Sequence, residues 1–300
     1  MNINRYAKKL KKRILNIILI QKWYIKFTRK KAPDFMIIGA MKAGTTSLYQ
    51  YLSGHPDLIC STIKEPSFFS WKHGNGINEY LRYFPGKKKI KEKLVFEASA
   101  TYLHHPKSAI RIKQLIPNSK LIIILRDPIE RAISHFNYYS SKTSLFAKNN
   151  PLSIENREIR QAFLEDINGA EKEWNKQYCR FSRYGEQIQR FYNLFESNKI
   201  LVLDFEELQN YPKEILNKIS NFLDIDPTYF ETYRKTSNKM TSAESFDPKK
   251  KKELNIYNSQ EYSIELPSDL KKELINFYKE DISLLLTLSK TNFSWSKLYK

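Results

Sequence analysis

The sequence predicts a three-layer α/β fold, in which a central, mostly parallel sheet is flanked by helices on both faces. From Asp34 onward, short apolar runs rich in β-branched residues alternate with segments of helical periodicity, a pattern typical of βαβ units. Residues 120–125 are apolar at almost every position, as expected for a central strand covered on both faces. The 300 residues, of which 41% are hydrophobic, can fill one large core or two small ones, which excludes disordered and fibrous classes.

The apolar runs and helical patterns place the elements along the chain. We predict strands at residues 35–39, 58–60, 94–96, 120–125 and 200–204. We predict helices that open at Gly44 and Thr45, span residues 107–116, begin at Asp127, span residues 182–195, and carry Leu270, Leu274, Tyr278, Ile282 and Leu285 on one face. In the 182–195 helix the predicted core stripe consists of Ile188, Phe191, Tyr192 and Phe195. Residues 34–300 contain no internal repeat and no Pro/Gly/Ser linker, so we predict one domain behind an N-terminal arm.

Residues 1–33 are predicted to form that arm. They contain eleven Lys or Arg and no acidic residue, within a net charge of +19 that favours anionic partners. Their apolar run, residues 14–20, is interrupted by Asn16 and is far shorter than the ~20 residues that a membrane-spanning helix needs. The residues that follow do not resemble a secretory cleavage site. We expect a basic amphipathic segment that lies on an anionic membrane with Trp23 and Tyr24 at headgroup level, or a docked extension with no membrane role.

Cysteine usage indicates the compartment. Cys60 and Cys179 are too few for a disulfide framework, and the sequence contains no His/Cys cluster with zinc-ligand spacing. We expect both thiols to be buried as small apolar groups. A reducing, cytoplasmic location is predicted, either free or associated with the cytoplasmic face of a membrane.

Residues 35–48 predict an anion-binding loop. A buried strand runs into a turn bounded by Gly39 and Gly44 and then into a helix, so unpaired N–H groups and the positive end of a helix dipole converge on one place. The glycine spacing is that of the ATP- and GTP-binding loop, which makes the expected fold P-loop-like. However, Thr45 replaces the lysine of that motif, and Lys42 lies two residues before Gly44. The motif of nucleotide triphosphatases is therefore broken at its catalytic residue.

The strand at residues 120–125 is followed by a cation where a nucleotide triphosphatase would have an acid. Arg126 occupies the place of a magnesium-holding carboxylate, so the predicted site binds a polyanion without a metal. A surface ion pair is the alternative role for Arg126. Asp127, followed by a proline and then by an acid, is a strong helix start. Arg131 and Ser134 share a face of that helix.

Two motifs together resemble those of sulfotransferases that use PAPS, 3′-phosphoadenylyl sulfate. Residues 39–48, Gly-Ala-Met-Lys-Ala-Gly-Thr-Thr-Ser-Leu, resemble the family's 5′-phosphosulfate loop. Residues 125–134, Leu-Arg-Asp-Pro-Ile-Glu-Arg-Ala-Ile-Ser, resemble its 3′-phosphate motif and follow in the family's order, about ninety residues later. Three further stretches, residues 64–69, 183–191 and 200–208, are similar to the carbohydrate branch that includes heparan sulfate sulfotransferases. The resemblance begins at about Pro33 and leaves out the arm.

The resemblance implies metal-free, in-line transfer of a sulfuryl group from PAPS to an acceptor hydroxyl or amine. Lys42 matches the loop lysine, which we expect to stabilise the leaving oxygen. The residues expected to bind the 5′-phosphosulfate, besides Lys42, are Ala43, Gly44, Thr45, Thr46 and Ser47. Those that match the 3′-phosphate site are Arg126 and Ser134. Glu65, in the pattern Lys-Glu-x-x-Phe-Phe, matches the family's catalytic base.

Other bases and the acceptor stay open at this point. Glu97, His104 and His105 are rivals of Glu65, since the cytosolic small-molecule sulfotransferases use a histidine. Relatives of the heparan sulfate type commonly have a lysine where this chain has Ala98, so a heparan-like acceptor does not follow. The best match to the family's loop over the 3′-phosphate and adenine is residues 234–239, and the expected acceptor loops are residues 71–83 and 140–176.

These observations predict a sulfotransferase that moves a sulfuryl group from PAPS to a carbohydrate or glycolipid-like acceptor, with a carboxylate as base. A kinase-like nucleotide-binding protein is one alternative, although the displaced lysine argues against it. A non-enzymatic polyanion-binding protein is another, and it explains the charge but not the pair of phosphate motifs. The sequence contains no helix-turn-helix, RNA-recognition or zinc-finger pattern, so no nucleic-acid partner is predicted.

Overall fold

Five parallel strands form the central sheet in the computed structural model, which describes residues 3–90, 92–141, 154–231 and 264–300. The strands are β1 (Phe35–Gly39), β2 (Leu58–Cys60), β3 (Leu94–Ala98), β4 (Lys120–Leu125) and β5 (Ile200–Asp204). Their order across the sheet is β2-β3-β1-β4-β5, and each neighbouring pair is parallel. The predicted strands are confirmed, and β3 runs two residues further than predicted, to Ala98.

Helices connect the strands and cover the sheet. In chain order they are α1 (Ile3–Phe27), α2 (Thr45–Ser53), α3 (Ile77–Leu81), α4 (Ser108–Leu115), α5 (Pro128–Ser140), α6 (Ile159–Ile167), α7 (Tyr184–Tyr192), α8 (Phe205–Asn210), α9 (Pro212–Leu223), α10 (Thr228–Glu231) and α11 (Ser268–Ser289). The five predicted helices correspond to α2, α4, α5, α7 and α11. Asp127 caps α5, because its carboxylate accepts hydrogen bonds from the first-turn N–H groups.

Both faces of the sheet are buried, which confirms the three-layer α/β fold. Met36 and Ile38 of β1 belong to the larger core cluster, together with residues of α4, α5, α7 and α11. Phe35 and Ile37, which alternate with them, belong to a second cluster with residues of α2 and α9. The continuous apolar run of β4 has the same cause, because its residues from Leu121 onward are divided between the two clusters.

Helix α7 is shorter at both ends than its sequence pattern predicts. Ser182, predicted to begin the helix, is buried in a preceding turn, and its hydroxyl donates to the carbonyl of Pro128 at 2.8 Å. The N–H groups of Gly185 and Glu186 donate to the carboxylate of Asp281 on α11, at 2.8 and 2.9 Å. A side chain from a distant helix therefore caps α7, and this contact fixes where the helix begins.

Helix α1 packs against the body of the protein on one side only. Ile18, Tyr24 and Ile25 contact the larger core cluster, whereas the side chain of Trp23 is 63% exposed. The prediction that Trp23 and Tyr24 lie together at a membrane surface is therefore wrong for Tyr24, which the helical periodicity turns towards the body. Within the described residues, no helix is both long and apolar enough to cross a membrane.

The two cysteines are free and differ in burial. Cys179 is fully buried, as predicted. Cys60 is only half-buried, contrary to the prediction, because it lies on β2 at the edge of the sheet, where one side of the strand has no neighbour.

Candidate active site

The loop between β1 and α2 has the shape of an anion-binding turn. Gly44 precedes α2 and has φ +87°, a left-handed conformation that favours glycine. A Cβ atom at this position would lie 2.5 Å from the ring of Phe205, so close packing excludes any side chain as well. The first-turn N–H groups of α2 have no acceptor within the helix and carry the positive end of its dipole. Thr45 is buried in this turn, and Thr46 and Ser47 are half-buried.

Lys42 lies in this loop among other cations. It has φ +70°, and its Nζ is 4.7 Å from the centre of the Tyr138 ring. Burial, with the charges of Arg126, Arg131 and Lys64, lowers the pKa of Lys42 to about 8. Each of the other three cations is thus close enough to repel Lys42. A bound polyanion would relieve that repulsion, so the chemistry of this cluster fits a donor that carries phosphate groups.

Ala43 is engaged inside the loop. Its amide donates to the carbonyl of Ala40 at 3.1 Å, and its side chain is fully buried. Contact of Ala43 with a sulfate or phosphate group therefore stays a prediction.

Arg131 is a residue whose role sequence reasoning missed. The guanidinium is fully buried, and its Nε donates to the hydroxyl of Ser182 at 2.5 Å. It also donates to the carbonyl of Tyr178 and, at 3.5 Å, to that of Met41 in the phosphate loop. These three acceptors are neutral, so the contacts leave the positive charge of Arg131 in place beside Lys42. Its sequence position on the face shared with Ser134 gave no sign of these contacts.

Arg126 and Ser134 lie at the carboxyl end of β4 and on the helix that follows it. Both are half-buried, and the guanidinium of Arg126 lies over the ring of Phe205 at 5.3 Å. The Tyr184 hydroxyl donates to the carbonyl of Arg126 at 3.1 Å and fixes the backbone there. Arg126 also contacts the exposed carboxylate of Glu130 at 3.4 Å. Such an exposed pair contributes little, so the contact does not prevent Arg126 from binding a phosphate.

Glu206 is a further acid close to Arg126. The main-chain N–H of Asp127, next to Arg126, faces a carboxylate oxygen of Glu206 at 3.5 Å. Burial, followed by the hydrogen bond and charge of Asp204, raises the pKa of Glu206. The shift favours the neutral acid, so Glu206 adds less negative charge beside Arg126.

Glu65 is held in one orientation beside the cation cluster. Its Oε1 accepts a charged hydrogen bond from Lys64 Nζ at 2.8 Å, and its Oε2 accepts one from the N–H of Ala100 at 2.9 Å. Its own N–H donates to the carbonyl of Ala98 at 2.9 Å. Since Lys64 contacts Glu65 and also lowers the pKa of Lys42, the predicted base and the loop lysine lie in the same electrostatic neighbourhood.

The backbone around Glu65 is strained. Glu65 and Ser67, which flank Pro66, have φ +61° and +56°, in the left-handed region that non-glycine residues rarely occupy. The N–H of Ser67 donates to the hydroxyl of Ser99 at 3.0 Å, which holds the loop in this shape. Strain of this kind persists where the surrounding structure enforces it, and it is concentrated at functional sites.

Glu97, a rival base, is buried close to Glu65. It is fully buried, and its carboxylate accepts hydrogen bonds from Tyr80 and Tyr102 at 2.8 Å and from Ser99 at 2.6 Å. Burial is the main reason why the pKa of Glu97 is raised to about 7. These contacts make Glu97 part of the support for the Glu65 loop, through the Ser99 hydroxyl, and shield it from an acceptor.

The two rival histidines are also packed into the structure. His104 stacks on Phe181 with ring centroids 3.9 Å apart, and His105 Nδ1 accepts a hydrogen bond from the N–H of Lys107 at 3.2 Å. Burial, with neighbouring cations, lowers the pKa of His104 to about 3 and that of His105 to about 4. Both histidine side chains are buried, whereas the side chain of Glu65 is 35% exposed and can be reached by an acceptor, so Glu65 is the better candidate.

The predicted acceptor loops are described in part. Trp71, six residues beyond Glu65, is 53% exposed and makes edge contacts with His105 at 4.8 Å and Trp174 at 5.4 Å. Part of the 140–176 segment lies outside the described residues, as does the whole of residues 234–239, the predicted loop over the 3′-phosphate and adenine.

In the described part of the chain, no three His, Cys, Asp or Glu side chains are grouped as metal ligands.

Comparison with known proteins identifies the family. The sulfotransferase domain family matches residues 32–284, and the chain belongs to it. The chain is 28% identical over 275 residues to a bifunctional heparan sulfate N-deacetylase/N-sulfotransferase of Caenorhabditis elegans, and 24% identical over 335 residues to a membrane-associated sulfotransferase of Dictyostelium discoideum. A crystal structure of a sulfotransferase from Alicyclobacillus acidocaldarius superposes with a TM-score of 0.66 at 25% identity, over 89% of this chain and 99% of that one. The chain therefore carries a sulfotransferase domain, as the paired motifs predict.

The extent of these matches differs between relatives. The alignment with the nematode enzyme covers 89% of this chain but 31% of the relative, and the one with the Dictyostelium protein covers 88% and 66%. The chain thus spans about a third of the length of the bifunctional enzyme.

Proposed function

We propose that this sulfotransferase transfers the sulfuryl group of PAPS to a hydroxyl or amine of a carbohydrate or glycolipid-like acceptor, with Glu65 as the base. The observation that carries the proposal is that one cation, Lys64, lies close to both a fixed carboxylate and the phosphate-loop lysine. Lys64 Nζ pairs with Glu65 Oε1 at 2.8 Å, and the charge of Lys64 contributes to the lowered pKa of Lys42. Transfer needs a cation for the leaving group and a base for the acceptor, and this arrangement supplies both.

The donor is proposed to bind where the cations and the first turn of α2 meet. When bound, PAPS supplies the sulfuryl group. Thr45, Thr46 and Ser47 would hold its 5′-phosphosulfate end with hydroxyl and N–H groups, and Lys42 would stabilise the charge that develops on the leaving oxygen. The 3′-phosphate would be bound by Arg126 and Ser134. The fixed cations of the site supply the charge stabilisation that phosphoryl-transfer enzymes obtain from magnesium.

Glu65 is proposed to remove the proton of the acceptor. Its two hydrogen bonds, from Lys64 and the Ala100 amide, hold the carboxylate in one orientation. Each carboxylate oxygen has a further lone pair that an acceptor hydroxyl can approach. A base held in this way loses little entropy when the acceptor binds.

The acceptor is proposed to be a carbohydrate, on the strength of the heparan sulfate enzymes among the relatives. The exposed ring of Trp71, six residues from Glu65, suits stacking against a sugar. Ala98 cannot pair with a carboxylate or sulfate, so we do not extend the proposal to a heparan-like polyanion.

We also propose a location at the cytoplasmic face of a membrane. Two free cysteines favour a reducing compartment, and the Dictyostelium relative is described as membrane-associated. Fractionation of cells that express the chain, with protease protection of the membrane fraction, tests the location. Protection of the chain inside sealed vesicles would contradict it.

Transfer of label from [³⁵S]PAPS to a panel of glycans and glycolipids tests the proposed reaction. We expect incorporation into a carbohydrate acceptor that persists in EDTA, and calorimetric binding of adenosine 3′,5′-bisphosphate in the same buffer. ATP with magnesium is the matched nucleotide control and should bind far more weakly. Lack of bisphosphate binding would contradict the donor site, whereas binding without transfer to any glycan would contradict only the acceptor class.

A further inference from the structure

The apolar surface of this protein is concentrated on α1. Among the described residues, ten large hydrophobic side chains are exposed, and six of them belong to this helix. Those six are Leu15, Ile17, Leu19, Ile20, Trp23 and Phe27, each between 49% and 66% exposed. Single exposed apolar residues are ordinary on soluble proteins, but a contiguous group indicates a surface that contacts something else.

Four of these residues form a stripe along the helix. Leu15, Leu19, Trp23 and Phe27 are spaced four residues apart and therefore lie on one face, which we call the outer stripe. The rings of Trp23 and Phe27 are in contact, with centroids 4.9 Å apart. Ile20 lies beside the stripe, so the apolar surface is wider than one row.

The outer stripe is not the face by which α1 joins the protein. Ile18 and Ile25 pack against the core cluster from the opposite side. Main-chain hydrogen bonds also fix the end of the arm, since Lys31 N donates to Pro85 O at 3.0 Å and Lys87 N donates to Arg29 O at 2.7 Å. The helix thus has two apolar faces, of which the body covers only one.

The charge around the stripe indicates what covers the other face. Residues 1–33 contain eleven Lys or Arg and no acid. Lys22 and Lys26 are exposed at the side of the stripe, and Lys26 Nζ lies 5.6 Å from the centre of the Phe27 ring. A second copy of this chain would bring the same cations together without opposing acids, whereas an anionic lipid surface offers both apolar chains and negative charge.

We infer that the outer stripe of α1 is a docking surface for an anionic lipid bilayer, with the helix lying in the plane of the interface. The stripe enters the boundary between headgroups and acyl chains, and the flanking lysines pair with the lipid headgroups. Trp23 occupies the interfacial level at which tryptophan is favoured. The inference deepens the proposed membrane location, but it does not depend on the sulfuryl-transfer chemistry.

Vesicle co-sedimentation of the full chain tests this surface. We expect binding to phosphatidylcholine vesicles that contain 30% phosphatidylserine, and binding at least about tenfold weaker to pure phosphatidylcholine or in high salt. The double variant Leu19→Ser/Trp23→Ser should lower the partition coefficient at least about tenfold. Ile110→Ser, which removes a similarly exposed apolar side chain from α4, should bind like the unchanged protein.

Three outcomes would overturn the inference. The unchanged protein could fail to bind the anionic vesicles, the double variant could bind them equally well, or the unchanged protein could form a dimer that the double variant converts to a monomer. The last result would assign the stripe to a second copy. The thermal midpoint verifies that each variant folds. Transfer to a soluble acceptor, measured on the same samples, separates a failure of lipid docking from a failure of the proposed reaction.

Discussion

At the scale of single residues, Lys42 makes the donor site sensitive to pH. Its pKa of about 8 means that the ammonium is mostly charged at pH 7 and loses its proton as the pH rises through that value. We expect kcat/KM for PAPS to decline on an alkaline limb with an apparent pKa of about 8, because the uncharged amine cannot stabilise the leaving oxygen. A pH–rate profile measured at low PAPS concentration verifies this expectation.

Lys42→Arg distinguishes the lysine from other groups that titrate in this range. A guanidinium stays charged throughout, so the limb should disappear below pH 10. The plateau should also fall, by roughly tenfold or more, because a planar group replaces a compact ammonium. A limb that persists at pH 8 in the variant would assign it to another group.

Glu65→Gln separates chemistry from donor binding. Loss of the base should lower kcat by about 10² to 10⁴ and leave the Kd for adenosine 3′,5′-bisphosphate within about twofold. Glu79→Gln is the matched control, since Glu79 lies in the same stretch of the chain and pairs with exposed Arg82. Normal turnover in Glu65→Gln would make the base a different residue.

Some residues of the candidate site could be identified from the sequence, and others could not. Lys42, Glu65 and Arg126 could be selected because each lies in a short contiguous motif. Arg131 could not, because its acceptors Met41 and Ser182 come from distant segments that only the folded chain brings together. The burial of Glu97 could not be predicted for the same reason, because the hydroxyls of Tyr80 and Tyr102 that contact it come together only in the folded chain.

At the scale of helices, the contact between α7 and α11 limits what residue 185 can be. A Cβ on Gly185 would lie 2.2 Å from the carbonyl oxygen of Asp281. Gly185→Ala should therefore push the helices apart and lower the free energy of unfolding by about 1–3 kcal/mol, as overpacking does.

Urea unfolding followed by circular dichroism measures this change. Gly74→Ala is the control, because an added Cβ at Gly74 meets no atom within 4 Å. Equal stability of the two variants would mean that α7 and α11 separate at little cost. The periodicity of the sequence predicted both helices. It did not predict the contact between α7 and α11, because no local sequence pattern indicates that Asp281 of α11 caps α7.

At the scale of the whole molecule, the cation cluster should make folding stability depend on the donor product. Adenosine 3′,5′-bisphosphate at a hundred times its Kd should add about 2.7 kcal/mol to the free energy of unfolding. We expect the thermal midpoint to rise by several degrees, equally with magnesium and with EDTA. Differential scanning calorimetry with each additive measures the shift, and a rise that requires magnesium would argue against the proposed donor site.

The architecture as a whole was the most predictable level. Apolar runs such as those of β1 and β4 are read directly as strands, because each is long enough to cross a buried sheet. The orientation of α1 was harder, since both of its faces are apolar and periodicity alone does not say which one meets the body. Only the packing of Ile18, Tyr24 and Ile25 decided that Tyr24 lies inward.

The left-handed residues beside Pro66 have a practical consequence for engineering acceptor preference. Glu65 and Ser67 depend on a hydrogen-bond framework below them, so random substitution there should mostly yield inactive protein. Trp71, further along and exposed, is free of that constraint. A mutant library confined to residues 71–76 would therefore explore new acceptors while it leaves the position of Glu65, the proposed base, unchanged.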